Sequence, residues 1–148
     1  MRGLPLSTHA LALMVWLSGP CPAAAQASSL QDDRGGNLRA YVTDVARLNR
    51  DQLEKRIGGL CASACTVYLG VKKVCVEPDA EVWFHAAFLP GSTKPDPTGS
   101  LEMLSYYPPN VRRWAIARGA LEQIEWSTDH KLTGDQLIAM GLRRCPLP

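Results

Sequence analysis

Apolar side chains recur at Leu38, Tyr41, Val42, Val45 and Leu48. Intervals of three and four residues set one face of an α-helix against a core. Asn37 stands immediately ahead of this stripe, in the position of an N-cap, and Arg47, Arg50, Asp51 and Glu54 fall on the other side. Before the helix, Gly35-Gly36 breaks the backbone, and residues 26–34 leave room for one brief strand at Ser29–Gln31. After it, Arg56 to Leu60 offers a very short strand. Cys61 to Cys65 is a run of small side chains, and Thr66 to Gly70 is an apolar segment closing on glycine that suits a short buried helix. Val74-Cys75-Val76 reads as a strand ended by Pro78-Asp79. Glu81 to His85 alternates as another, with Val82 and Phe84 on one face and Trp83 and His85 on the other.

Residues 90–97 form a loop rich in Pro, Gly and Ser, and Leu101 to Tyr107 reads as a helix stopped by Pro108-Pro109. Val111, Trp114, Ala115 and Arg118 mark a further helix ending at Gly119. Thr133-Gly134-Asp135-Gln136 has the form of a capping box opening a helix that closes at Gly141. Short strands alternating with helices predict a single small α/β domain.

The first residues have a different pattern. A positive start, Met1-Arg2, leads to the unbroken apolar run Ala10 to Leu17, a break at Gly19-Pro20 and the small residues Ala23-Ala24-Ala25. This is the layout of a secretory signal peptide over residues 1–25, with residues 26–148 as the mature domain. The apolar run is far shorter than the roughly 20 residues that span a bilayer, so no transmembrane segment is expected in the mature chain. The expected location is periplasmic or secreted. Cys21 raises a lipoprotein alternative, which Pro20 disfavours because a small residue should precede a lipidated cysteine.

Charge changes the picture only by exclusion. Sixteen Lys+Arg oppose fourteen Asp+Glu, for a net charge of +2. The basic residues cluster only in pairs, so no nucleic-acid partner is expected. Arg112, Arg113 and Arg118 read as a solvated helix face.

Four cysteines follow the leader: Cys61, Cys65, Cys75 and Cys145. In an exported protein an even number suggests disulfides. Four cysteines allow three pairings, among which a Cys75–Cys145 bridge is preferred and the others stay open. A zinc site is the rival reading, with His85 or His130 completing it, but Cys61 and Cys65 lack the tight C-x2-C spacing. No metal or cofactor is expected.

Ser63 is the candidate nucleophile. It stands at a strand-to-helix junction between Ala62 and Ala64, where a tight turn exposes a hydroxyl and a helix start offers unpaired N–H groups to an oxyanion. The G-x-S-x-G pattern is absent, its flanks being Cys61 and Cys65. His85, at the end of a strand, is the candidate base. Among the acids, Asp135 and Asp79 have local roles as helix-start and turn residues, Asp96 lies between prolines in a loop, and Asp129 has no such role. Spacing cannot assemble a triad whose members meet only through the fold. Trp83, Phe84 and Phe88 near His85 could line an apolar specificity pocket, although such residues are more often core.

Gly35-Gly36 before an amphipathic helix, then Cys61-Ala62-Ser63-Ala64-Cys65, then Pro78-Asp79-Ala80-Glu81-Val82-Trp83-Phe84-His85-Ala86, resembles the Clp protease proteolytic subunit family, and more closely its small exported relatives. The resemblance runs from Gly35 to Leu142. It implies a Clp protease/crotonase-type fold, with Ser63 as nucleophile, His85 as base, Asp129 as acid, and the N–H groups of Gly36 and Ala64 as the oxyanion hole. The function it implies is that of an exported serine hydrolase, a peptidase acting on a peptide or small ester. Pro108-Pro109 replaces the family's long handle helix, so no ATPase partner is expected, and oligomerisation is left open. The alternative is a catalytically inactive Clp-like domain that binds a peptide or protein partner in the cell envelope.

Overall fold

A computed structural model describes residues 32–147. The proposed leader and the strand expected at Ser29–Gln31 lie outside these residues. The domain is a small mixed α/β unit of four α-helices, two 3-10 segments and two small sheets.

The helices start where local chemistry dictates. In α1 (Leu38–Arg50) the Asn37 side chain accepts a hydrogen bond from the Arg39 N–H, and Arg47 and Arg50 occupy the last turn, where cations complement the helix dipole. Val45 and Leu48 are its buried contacts. Next come β1 (Lys55–Ile57) and β2 (Leu60–Ala62). The single short strand expected from Arg56 to Leu60 is therefore two, because Gly58-Gly59 turns the chain, with Gly59 at φ +54°. The 3-10 segment Ser63–Gly70 follows, and its residues Ala64 to Leu69 are all buried. It lies within the core, in contact with α1 and with strands of both sheets.

The first sheet has β2 parallel to β4 (Glu81–Trp83), with Cys61 opposite Val82, and β5 (Lys131–Thr133) antiparallel on the far side of β4, with Val82 opposite Leu132. Asp33 extends its other edge. Its N–H donates to the Leu60 carbonyl at 2.7 Å and its carbonyl accepts from Ala62 N–H at 2.7 Å. The second sheet pairs β1 with β3 (Val74–Val76) in parallel, and the chain end joins it through a bridge between Val76 and Arg144.

Helix α2 (Pro97–Ser105) begins four residues earlier than its apolar pattern suggests. Asp96 caps it by accepting from Thr98 N–H, and Pro97 takes the first position, where a missing N–H costs nothing. Helix α3 (Pro109–Ala117) also opens on proline. At α4 (Gly134–Ala139) both bonds of the capping box form between Thr133 and Gln136. Gly134 cannot carry a side chain, because a Cβ there would lie 1.7 Å from the Glu77 carbonyl oxygen.

Two disulfides close the domain, Cys61–Cys65 and Cys75–Cys145. The second joins the chain end to β3, as the preferred pairing has it. Paired cysteines fit an oxidising environment outside the cytosol. Among the described residues no helix is long and apolar enough to cross a membrane, and no group of three or more His, Cys, Asp or Glu side chains could hold a metal ion.

Candidate functional site

β2 ends at Ala62 and the backbone turns sharply at Ser63, whose φ is +57°. Among the described residues only Gln52 shares a positive φ without being glycine. The left-handed region costs a side-chain-bearing residue about 1–3 kcal/mol and persists only where its surroundings enforce it. Three constraints act on this turn. Pairing with β4 fixes the residues before it. The buried Thr66 hydroxyl donates to the Ser63 carbonyl at 2.7 Å and meets the Tyr107 hydroxyl at 2.6 Å, so the residues after it are also held. The Cys61–Cys65 disulfide then closes the loop with Ser63 at its middle.

The double glycine packs directly on this turn. A Cβ at Gly35 would lie 2.6 Å from Ser63 Cβ, 2.7 Å from the Ala62 carbonyl oxygen and 2.8 Å from Ala64 N, and its φ is +81°. Asp33 holds the glycine turn in place. Its Oδ1 accepts from Gly35 N–H at 2.9 Å and from the Tyr41 hydroxyl at 2.5 Å, which ties the turn to α1. Gly35→Ala is expected to cost about 3 kcal/mol, since two of the three clashing atoms are backbone. The drop in chemical denaturation midpoint measures it.

Ser63, Ala64, Gly36 and His85 all line one cleft of about 660 Å³. The first N–H groups of a helix have no partner within it, and Ala64 is at such a position. Gly36 N–H likewise has no backbone partner among the described residues.

The His85 side chain is nearly enclosed, with 3% of its surface exposed. Phe88 and Trp126 flank its ring at centroid distances of 6.0 and 6.4 Å. Nδ1 lies 2.8 Å from the Ala86 carbonyl oxygen. A carbonyl only accepts, so this bond places the proton of the neutral ring on Nδ1 and leaves Nε2 as a base. Nε2 has no hydrogen-bond partner among the described residues, and none of their fully enclosed side-chain nitrogens or oxygens lacks one. Nε2 therefore opens onto the cleft.

Burial pushes the His85 pKa below the ordinary histidine value, and the bond to Ala86 offsets part of that shift. The folded protein thus binds fewer protons than the unfolded chain just below the ordinary value of about 6.5. Stability from this group is complete above about pH 6.5 and is lost as pH falls toward the lower folded value. An NMR titration of the His85 ring is expected to show a midpoint below 6.5.

Asp129 does not meet this histidine. It is exposed, it sits in the 3-10 turn Thr128–His130, and its N–H donates to Ser127 Oγ at 3.2 Å. Neither Asp129 nor any other carboxylate contributes to the His85 shift. The orienting group behind the imidazole is a backbone carbonyl. Among the described residues no hydrogen bond joins Ser63 Oγ to His85, so the two share the cleft without being bonded to each other. His130 is a structural histidine, its ring paired with the Arg118 carbonyl at 3.0 Å and with Gln123 at 3.4 Å.

The cleft also contains residues whose role sequence reading missed. Arg34, Arg39, Asp96 and Trp126 line it. Asp96 followed by Pro97 carried a readable helix-start signal. Nothing near Trp126 announced that its ring would stack beside His85. Of the aromatics expected near His85, Phe88 is in the cleft wall, whereas Phe84 is core, edge-on to Tyr107 at 5.3 Å.

No family model matches this chain, and neither a curated protein nor a solved structure matches it.

Proposed function

We propose that this domain is an exported serine hydrolase, a peptidase or esterase on a Clp protease-like scaffold, working with a Ser63–His85 dyad. The supporting observation is that a strained serine at a helix start and a neutral imidazole with a free Nε2 open onto the same cleft. In the reaction Ser63 Oγ attacks the substrate carbonyl carbon while its proton passes to His85 Nε2. The new oxyanion takes hydrogen bonds from the N–H groups of Gly36 and Ala64. The imidazolium then protonates the leaving amine or alcohol, and water, deprotonated by the same nitrogen, releases the acid from Ser63. The Ala86 carbonyl does the orienting that a carboxylate does in a full triad, but without its negative charge.

Such a dyad needs Ser63 Oγ and His85 Nε2 to form a hydrogen bond as substrate enters, since catalytic hydrogen bonds in unliganded sites are often long. The test is labelling of the purified protein with a fluorophosphonate and mapping of the adduct. The expected result is phosphonylation of Ser63 alone. A folded protein that takes no label would overturn the hydrolase reading.

A second reading rests on that missing bond. With no Ser63–His85 hydrogen bond and no carboxylate behind the ring, the domain would be an inactive Clp-like module that holds a peptide or protein partner in this cleft. It predicts no labelling and no turnover that Ser63→Ala removes.

A further inference from the structure

We infer that this cleft selects an acyl substrate bearing a carboxylate a few bonds from the scissile carbonyl, with Arg34 and Arg39 as the residues that recognise it. The inference deepens the hydrolase reading by naming the substrate class of that same cleft.

Three charged side chains line the cleft: Arg34, Arg39 and Asp96. The carboxylate is committed, since Asp96 Oδ1 accepts from Thr98 N–H at 3.1 Å as the cap of α2. The nearby acids on the same side are committed as well. Asp33 is bonded to Gly35 N–H and to Tyr41, and Asp32 lies 3.3 Å from Leu60 N–H. Neither arginine has a carboxylate partner among the described residues. By contrast Arg47, Arg50, Arg56, Arg143 and Arg144 all form ion pairs. Arg112, Arg113 and Arg118 also lack a carboxylate partner among the described residues, but Arg34 and Arg39 are the two cations that line the cleft where Ser63 and His85 open.

Their placement runs against local preference. Arg39 is in the first turn of α1, a turn without an acidic residue, although the helix dipole favours acids there and disfavours cations. Departures from local rules concentrate at functional sites. Arg34 is stacked on the Trp126 ring, its guanidinium carbon 5.6 Å from the centroid, and the same indole flanks His85. That stack holds the guanidinium within reach of a group bound beside the imidazole while leaving its N–H fork free for a carboxylate. Phe88, Leu89 and Ile124 make the remaining wall apolar, which suits a hydrophobic residue next to the acidic one.

The carboxylate could be an acidic side chain or a peptide C-terminus, and the test has an arm for each. Binding of Ac-Phe-Glu-NH2 and Ac-Phe-Leu-OH to the full chain carrying Ser63→Ala is compared by calorimetry with the uncharged Ac-Phe-Gln-NH2 and Ac-Phe-Leu-NH2. At least one acidic peptide is expected to bind about tenfold more tightly than its uncharged counterpart, with the preference shrinking as salt rises. The arm that shows the preference identifies the source. Arg34→Gln with Arg39→Gln is expected to erase it, and Arg50→Gln, at the far end of α1, to leave it intact. Equal binding of acidic and uncharged peptides, no binding of any, or a preference that survives loss of both arginines overturns the inference. Absence of turnover in the unsubstituted protein bears only on the hydrolase reading, because binding to the Ser63→Ala chain requires no chemistry.

Discussion

Replacing Ser63 with alanine is expected to lower kcat/KM for an ester or peptide about 10²- to 10³-fold, and replacing His85 with alanine to cost the same. In a full triad the loss is nearer 10⁶, and removing the acid alone accounts for about 10⁴ of it. Here no carboxylate supports the imidazolium and only the Ala86 carbonyl orients it. The dyad therefore starts from a lower rate and has less to lose. Because the two groups act as one unit, the double variant should be no slower than either single one. Steady-state kinetics on the three proteins measure this. Asp129→Asn should change kcat/KM by less than about twofold, since that side chain is exposed and contributes nothing to the His85 shift. A loss near 10⁴ in Asp129→Asn would restore it as the acid.

The second large effect concerns stability. Replacing Cys75 and Cys145 together by alanine is expected to cost about 4 kcal/mol, and replacing Cys61 and Cys65 about 2. The chain-entropy account of a cross-link grows with the logarithm of the loop it closes, and the bridges span sequence separations of 70 and 4 residues. All four cysteines are buried, so the packing losses from truncation are similar and the difference reports the loops. Against a typical domain stability of about 5–15 kcal/mol, loss of the longer bridge leaves a marginal protein. Unfolding free energies from guanidinium titrations, with the slope fitted for each protein, would measure both. The shorter bridge should instead show itself in rate, because it closes the turn that holds Ser63 at positive φ.

Local signals in the chain were legible and long-range meetings were not. The stripe from Leu38 to Leu48 and its Asn37 cap describe α1 as it forms, and Thr133 with Gln136 forms the expected box. These depend on neighbours three or four residues apart. Gly58-Gly59 is equally local, and its tendency to turn is what divides the predicted strand into β1 and β2. Asp129 illustrates the opposite case. It was singled out for lacking a local role, yet Ser127 caps its turn, and that bond is the role. The partner of His85 left no trace in residue identity, since a backbone carbonyl belongs to every residue. The crowding of Gly35 against Ser63, separated by the whole of α1, followed from no pattern in the sequence, and the family resemblance spoke only of the Gly36 and Ala64 N–H groups.

The most direct measurement of the central claim is a crystal structure of the fluorophosphonate-treated protein. The dyad predicts a covalent bond from Ser63 Oγ to phosphorus, a phosphoryl oxygen within hydrogen-bond distance of the Gly36 and Ala64 N–H groups, and His85 Nε2 within reach of Ser63 Oγ or the phosphonate. An adduct on any other residue, or one on Ser63 with His85 Nε2 far from both Ser63 Oγ and the phosphonate, would contradict it.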